Sequence, residues 1–410
     1  MTSVQVLQVN LYEQAIGTLT LLDGDRSIFA FNEDYLSDAN RPTLSLSFKD
    51  PFGELITETR PTQTSLSPFF SNLLPEGHMR DYLAERAGVK KMREFHLLMA
   101  LGKDLPGAIT VGALNDARWA VDDISDGETQ RGDPTPDSAL RFSLAGVQIK
   151  FSAIAEASGG LTIPVSGQGG SYIIKLPSTR FEGVPANEHA MMSLAGMLGM
   201  DIPPHRLVKS EEIDGLPEGI DSLNESAFAI ERFDRTLDAK SVHIEDFAQV
   251  FGVYPGEKYR RATYRSILKV LWIETGARGV EEFIRRLTFN TLIGNADMHL
   301  KNWSLIYSDR RTPRLSPAYD FVSTIAFLDD ENAALKYAKQ KSMLAVTYDE
   351  FAYLAARASA PETLIVQTAR ETTEKFHEVW QKEQAHLGLT TAMREVIDQH
   401  YRSTALLSDL

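Results

Sequence analysis

The chain has 410 residues, 43% of them hydrophobic, no cysteine and a formal charge of −14. This composition excludes a disordered or collagen-like chain and any disulfide or thiolate chemistry, and the acidic surface disfavours broad binding to nucleic acid or anionic membranes. The N-terminus shows no export signal and no apolar run reaches about 18 residues, so we expect a cytoplasmic protein of two or three subdomains that does not span a membrane.

The first 120 residues are predicted to form a β-rich subdomain. Alternating apolar residues between positions 4 and 31 predict a small antiparallel sheet, and residues 44–48 alternate as a further strand. Ser67 and Pro68 are typical of the start of a helix, which should end at Pro75. Further helices are expected up to residue 87 and over 91–101, followed by a strand at 107–111.

The segment from about 121 to 139 is predicted to be a linker, because VDDISDGETQRGDPTPDS is rich in Asp, Gly, Pro and Ser. Two strands joined by a hairpin should follow. A small-residue turn at Ala145 and Gly146, together with Lys175 inside an apolar strand, is typical of a loop that covers phosphates and a lysine that pairs with them. An edge-strand lysine that reaches solvent explains Lys175 equally well.

Residues 187–199 are predicted to form a helix, in which Glu188 is the candidate partner of Lys175. A surface glutamate stabilised by the helix dipole is the alternative. The strand FAIERFDR runs out into charged residues, where a hinge between two lobes that binds adenine is expected. Helical periodicity then runs over 244–287, with a break at GVYPG.

The motif with the clearest chemistry is GNADMHLKN, followed by AYDF. Four residues separate Asp297 from Asn302, the spacing of the kinase catalytic loop, in which the aspartate takes the hydroxyl proton and the asparagine holds Mg²⁺. Short strands at 305–307 and 315 predict a hairpin that brings Asn302 and Asp320 together. Two oxygen ligands and one base nearly suffice for phosphoryl transfer.

Taken together in their order, these segments resemble the HipA family of bacterial serine/threonine-kinase toxins. The matching stretches are PFFSNLLPEG, GKDLPGAITV, SLAGVQIKF, YIIKLPS, NEHAMMSLAGMLGM, ERFDR, FGVYPGEKY, NADMHLKN and SPAYDFVST. The resemblance implies an α+β, two-lobed protein-kinase-like fold of the HipA type. We expect an N-terminal β-rich subdomain at 1–120, a linker at 121–139, the nucleotide-binding part at 140–235 and a mainly helical C-lobe at 236–410.

The resemblance also implies a role for each site residue. Asp297 would be the catalytic base, and Asn302 and Asp320 the Mg²⁺ ligands. The residues that would contact ATP are Lys150 and Lys175 at the phosphates, Ala145 and Gly146 in the covering loop, and Glu231 and Phe233 beside the adenine. Ser143 would be the autophosphorylated serine, whose modification ejects the loop and switches the kinase off. His299 is interpreted as a structural histidine.

By the same resemblance, the partner would be a HipB-like helix-turn-helix antitoxin that contacts operator DNA, and the target a translation component such as an aminoacyl-tRNA synthetase. The acidic charge favours DNA contact mainly through that partner. Two alternatives stay open. A catalytically weak co-repressor is disfavoured by the intact Lys175, Asp297, Asn302 and Asp320, and a small-molecule kinase would not explain the SLAGVQIK and NLLPEG motifs.

Overall fold

A computed structural model describes residues 5–114, 150–155, 160–163, 170–178, 180–216, 225–236 and 238–408. The strands are β1 Gln5–Leu11, β2 Gln14–Leu22, β3 Arg26–Phe31, β4 Thr62–Gln63, β5 Ile109–Ala113, β6 Lys150–Ala155, β7 Leu161–Thr162, β8 Tyr172–Lys175, β9 His205–Val208, β10 Ile213–Asp214, β11 Ala227–Glu231, β12 His243–Asp246, β13 Ser304–Tyr307 and β14 Arg314–Leu315. The helices are α1 Glu33–Ser37, α2 Pro68–Ser71, α3 Gly77–Arg86, α4 Glu94–Leu101, α5 Val184–Met197, α6 Phe247–Val250, α7 Tyr264–Leu292, α8 Tyr348–Ala358, α9 Glu362–Glu383, α10 Thr391–Ser403 and α11 Ala405–Ser408.

The N-terminal sheet has the strand order β4-β3-β2-β1-β5 and is antiparallel throughout. Its buried face alternates with period two, as the sequence predicts for a sheet covered on one side. Helices α2 and α4 contribute Phe69, Phe70, Leu97 and Leu98 to the same core. Pro68 begins α2 as expected, but the helix ends at Ser71 rather than at Pro75.

The strand predicted at residues 44–48 is wrong, because Leu46–Phe48 forms a single 3₁₀ turn. Two side chains satisfy the backbone here in place of a strand ladder. Ser45 Oγ accepts a hydrogen bond from the Ser47 N–H at 3.0 Å, and the Leu46 N–H donates to Glu245 Oε1 at 3.0 Å. The alternating apolar residues therefore belong to a turn, in which one backbone N–H is satisfied by Ser45 two residues away and another by Glu245, 199 residues away in the sequence.

The second sheet has the order β10-β7-β6-β8-β11-β9. Strand β8 lies between β6 and β11, so Lys175 pairs with Lys150 on one side and with Phe228 on the other. This central position excludes the edge-strand interpretation of Lys175. Helix α5 contributes to the large C-terminal core, together with Phe228 of β11.

The C-terminal part is mainly helical, and α7, α8 and α9 pack around a core that includes Phe283, Trp303 and Trp380. Helix α7 is interrupted at Gly276, whose φ of 64° is not helical. The helix predicted to begin at residue 244 is wrong at its start, because β12 pairs there with β13 in an antiparallel ladder. Within the described ranges, no helix combines the length and apolar character that a membrane span requires.

Strand β12 joins the helical part to the N-terminal region through two buried polar side chains on one face. His243 Nε2 lies 2.7 Å from the Leu44 carbonyl oxygen, and Glu245 accepts hydrogen bonds from the hydroxyls of Ser45 and Tyr307. Burial lowers the pKa of His243 to about 4 and raises the pKa of Glu245 to about 7. Burial therefore favours the neutral form of both side chains.

We expect the free energy of unfolding to fall less steeply with decreasing pH in His243→Gln than in the wild type. An unfolded chain takes up a proton at His243 below its ordinary pKa of 6.5, whereas the folded chain resists protonation until about pH 4. The contribution of neutral His243 to the free energy of unfolding is thus fully present above pH 6.5. It is lost as the pH falls toward 4, by roughly 3 kcal/mol. Glutamine keeps an N–H donor for the Leu44 carbonyl but does not titrate. Urea unfolding between pH 7 and pH 4.5 measures the difference, and parallel curves for the two proteins would contradict it.

Candidate active site

Three charged side chains meet in the interior between the second sheet, α5 and the segment after β14. Lys175 Nζ donates hydrogen bonds to the carboxylates of Glu188 and Asp320. Glu188 is fully buried and Lys175 is 4% exposed, so water contributes little to their solvation. Lys150 Nζ lies 3.4 Å from the second oxygen of Asp320, at the solvent side of the cluster. The structure thus brings Lys150, Lys175, Glu188 and Asp320 together.

Charge pairing opposes the cost of burial in this cluster. Burial alone would disfavour the charged form of Asp320, but Lys150 and Lys175 hold its pKa well below the usual range. Burial also opposes the charge on Lys175, yet Asp320 and Glu188 keep its pKa above the ordinary value. The pKa of Glu188 is raised, chiefly because its carboxylate is desolvated. Asp320 has a left-handed backbone with φ of 57°, which is unusual for a residue other than glycine.

The loop that carries Asp297 begins directly after α7. Gly294 has a φ of 67°, and a Cβ at this position would come within 2.7 Å of Ile325, so the turn requires glycine. The Asp297 N–H donates to Asn295 Oδ1 at 3.0 Å, and Asn302 Nδ2 donates to the Asp297 carbonyl oxygen at 2.8 Å. These contacts fix the backbone of the loop on both sides of the carboxylate.

His299 is buried and its ring packs edge-on against Tyr259, with ring centroids 4.9 Å apart. Burial lowers the pKa of His299 to about 4, although Asp297 opposes the shift. A neutral ring that forms part of the packing agrees with the structural interpretation of this histidine.

The predicted hairpin exists, since β13 and β14 pair through Leu305 and Leu315. The segments that carry Asn302 and Asp320 are also joined directly, because the Tyr319 hydroxyl donates to the Lys301 carbonyl oxygen at 2.9 Å. Nowhere in the described ranges do three or more acidic or histidine side chains gather as a metal cluster. One carboxylate and one amide nevertheless suit a divalent cation whose other ligands come from phosphates and water. The Asn302 amide nitrogen donates to the Asp297 carbonyl oxygen, which leaves the amide oxygen to serve as a metal ligand.

The residues predicted to border the adenine lie at and beyond the end of β11. Glu231 Oε1 accepts a hydrogen bond from the Tyr172 hydroxyl at 2.6 Å. The ring of Phe233 packs against Tyr319, with centroids 5.5 Å apart, and so reaches the segment that carries Asp320. Ser143, Ala145 and Gly146 lie outside the described residues.

The charged residues that follow β11 form an internal ion-pair network. Asp234 accepts hydrogen bonds from both Arg232 and Arg235, and also from the Gly107 N–H at 2.8 Å. Arg235 further donates to Asp104 at 3.0 Å. The ERFDR motif therefore holds the GKDLPGAITV segment against the second sheet, a role that its sequence did not indicate.

Sequence patterns also did not single out an ion-pair cluster beside the catalytic loop. Glu76, at the start of α3, lies 2.8 Å from Lys258 and 2.6 Å from Lys301. Burial would raise the pKa of Glu76, but the two lysines lower it to about 2. Lys301 also donates to the Asn72 carbonyl oxygen at 3.2 Å. The sequence signal that could have indicated this cluster is that Glu76, Lys258 and Lys301 each lie in one of the matching motifs, NLLPEG, GEKY and HLKN respectively.

A strand lysine paired with a helix carboxylate, close to a D-x4-N loop and a following aspartate, defines the protein-kinase-like class of α+β folds. Within that class the chain belongs to the HipA-like family, since the model of the HipA-like C-terminal domain matches residues 142–380 and that of the HipA N-terminal domain matches residues 7–112.

Two relatives are similar to the chain in sequence, and one solved structure is similar to it in fold. Y4dM of Sinorhizobium fredii is 55% identical over 98% of this chain and 97% of its own length. The serine/threonine-protein kinase toxin HipA of Shewanella oneidensis is 28% identical over 79% of this chain and 76% of its own. A chain of the solved complex of Shewanella oneidensis HipA, HipB and operator DNA matches with a TM-score of 0.72 at 20% identity, covering 98% of both chains. This likeness confirms the predicted α+β fold with a β-rich N-terminal region and a helical C-terminal part.

Proposed function

We propose that the protein is an ATP- and Mg²⁺-dependent serine/threonine protein kinase that acts as the toxin of a toxin–antitoxin pair. The observation that carries the proposal is the buried cluster of Lys175, Glu188 and Asp320, joined to the loop of Asp297 by the hydrogen bond from Asn295 Nδ2 to the Asp320 carbonyl oxygen at 3.5 Å. Two carboxylates and one lysine are costly to remove from water, and phosphate binding gives a reason to retain them.

In the proposed reaction, the hydroxyl oxygen of a serine or threonine attacks the γ-phosphorus while the bond to the bridging oxygen of ADP breaks. Asp297 accepts the hydroxyl proton, and ADP leaves. Lys175 and Lys150 pair with phosphate oxygens, Ala145 and Gly146 cover them, and Glu231 and Phe233 border the adenine. Asn302 and Asp320 would hold Mg²⁺, which when bound neutralises charge on the phosphates.

The partner we propose is a helix-turn-helix antitoxin that contacts operator DNA. The matched complex contains HipA, HipB and operator DNA, which supports such an assembly. With a charge of −14, this chain suits DNA binding mainly through a basic partner. As target we propose a translation component, namely an aminoacyl-tRNA synthetase, as the resemblance to the HipA family implies; its modification would stop growth.

A phosphoproteome comparison tests the activity and names the target in one experiment. Cells induced for the wild type are compared with cells induced for Asp297→Asn at equal protein level. We expect a small set of serine or threonine sites, at least one in a translation component, that carry phosphate only with the wild type, together with growth arrest. Identical phosphoproteomes and equal growth would contradict a kinase toxin.

Autophosphorylation is proposed at Ser143. We expect mass spectrometry after incubation with ATP and Mg²⁺ to find phosphate on Ser143, and the Ser143→Ala variant to stay active longer because its loop is not ejected. Ser152 offers an internal comparison as a second serine near the site. It lies in β6, the strand next to Lys175, and its hydroxyl is 3.3 Å from the Arg232 guanidinium. Phosphate on Ser152 alone, or on neither serine, would contradict the assignment.

A further inference from the structure

One hydroxyl group contacts the carboxylate of Asp297, and it comes from the FGVYPGEKY loop. The Tyr259 hydroxyl donates a hydrogen bond to Asp297 Oδ1 at 2.5 Å, a length typical of a donor paired with a charged acceptor. Across the described part of the chain, this is the one hydrogen bond that reaches the carboxylate, since the other contacts of Asp297 involve its backbone. The direction in which the carboxylate points therefore depends on Tyr259.

Tyr259 can act only as a donor in this contact. Burial raises its pKa, and the negative charge of Asp297 raises it further, so the hydroxyl keeps its proton. It cannot accept the proton that a substrate hydroxyl would lose. What it supplies is orientation and partial compensation of charge on one carboxylate oxygen.

The loop that presents Tyr259 is attached to the catalytic loop at several points. The Leu300 N–H donates to the Lys258 carbonyl oxygen at 3.4 Å, and the Tyr259 ring packs against His299. Lys258 is held in turn by Glu76. A residue anchored in this way is suited to positioning, whereas a temporary occupant of the substrate position would need freedom to leave. With 39% of its surface exposed, Tyr259 also lies where an acceptor protein can approach.

We propose that Tyr259 is a positioning residue for Asp297: its hydroxyl holds one carboxylate oxygen so that the other faces the acceptor hydroxyl. This inference rests on the proposed kinase function. It adds to the site a residue of the FGVYPGEKY loop, which is itself attached to Glu76 through Lys258.

The test uses the full chain with γ-labelled ATP, Mg²⁺ and dephosphorylated casein as the acceptor probe, and compares wild type with Tyr259→Phe. The ring and its packing against His299 are retained, and only the hydroxyl is removed. We expect kcat for transfer to fall roughly 10- to 100-fold while the KM for ATP and the Tm stay unchanged. Tyr254→Phe, in the same loop, is the matched control and should behave as the wild type.

A double variant separates positioning from a general structural effect. If Tyr259 acts through Asp297, adding Tyr259→Phe to Asp297→Asn should cost nothing further in kcat, whereas independent effects would multiply. An unchanged kcat in Tyr259→Phe, a raised kcat/KM that marks a substrate mimic, or a multiplying effect in the double variant would each overturn the inference while the kinase function stands. No transfer by the wild type would overturn both.

Discussion

The Asp297→Asn variant should lose phosphoryl transfer by about 10²- to 10⁴-fold while binding ATP as the wild type does. Asparagine has the same shape, keeps an oxygen that accepts from Tyr259, and leaves the backbone contacts with Asn295 and Asn302 intact. The amide cannot accept the proton of the attacking hydroxyl. Single-turnover transfer and a nucleotide-binding titration on the same preparation measure the two quantities separately.

Asp320→Asn provides the comparison, since it also neutralises one aspartate at the same site. Here the lost charge faces Lys175 and Lys150, so we expect weaker Mg²⁺-dependent nucleotide binding and a lower Tm in addition to lost transfer. Asp297→Asn should thus leave ATP binding unchanged, whereas Asp320→Asn should weaken it. Retained transfer in Asp297→Asn, or weakened ATP binding in that variant alone, would show that Asp297 is not the base.

Local patterns predicted most of the elements that position the site. Alternation identified β1, β2 and β3 of the N-terminal sheet, and the short strands predicted at 305–307 and 315 form the expected hairpin through Leu305 and Leu315. The spacing of Asp297 and Asn302 is likewise local, and the two residues are joined by a hydrogen bond through the Asp297 carbonyl. Such features depend on neighbours within a few residues, which is why a single sequence reveals them.

Several contacts between residues that are distant in the sequence were missed. Strand β12 looks helical by its apolar spacing, but its register is set by β13, about 60 residues later. The contact between Tyr259 and Asp297 and the cluster around Glu76 join residues far apart in the chain. Each of these residues is of a type that is common in its local sequence, so no pattern of neighbouring residues identifies its distant partner. The family's motifs carried the signal, because several of these partners lie within them.

The Lys175→Met variant should lower the free energy of unfolding by about 3–5 kcal/mol in addition to abolishing transfer. Methionine keeps much of the volume but leaves the fully buried Glu188 without an ammonium partner, and Asp320 with only the exposed Lys150. The pKa of Glu188 should then rise further above its ordinary 4.5, so the variant is penalised as the pH rises through that range. The gap between wild type and variant should therefore widen from pH 4.5 to pH 7, as urea unfolding would show.

Two further variants tie this loss to the buried charges. Lys150→Met removes a lysine whose side chain is 47% exposed and 3.4 Å from Asp320, so it should cost less than about 1 kcal/mol. Adding Glu188→Gln to Lys175→Met removes the carboxylate that the single variant leaves unpaired, and the double variant should be more stable than the sum of the single effects by roughly 1–3 kcal/mol. Additive effects within about 0.5 kcal/mol would mean that lost packing, and not unpaired charge, accounts for the instability of Lys175→Met.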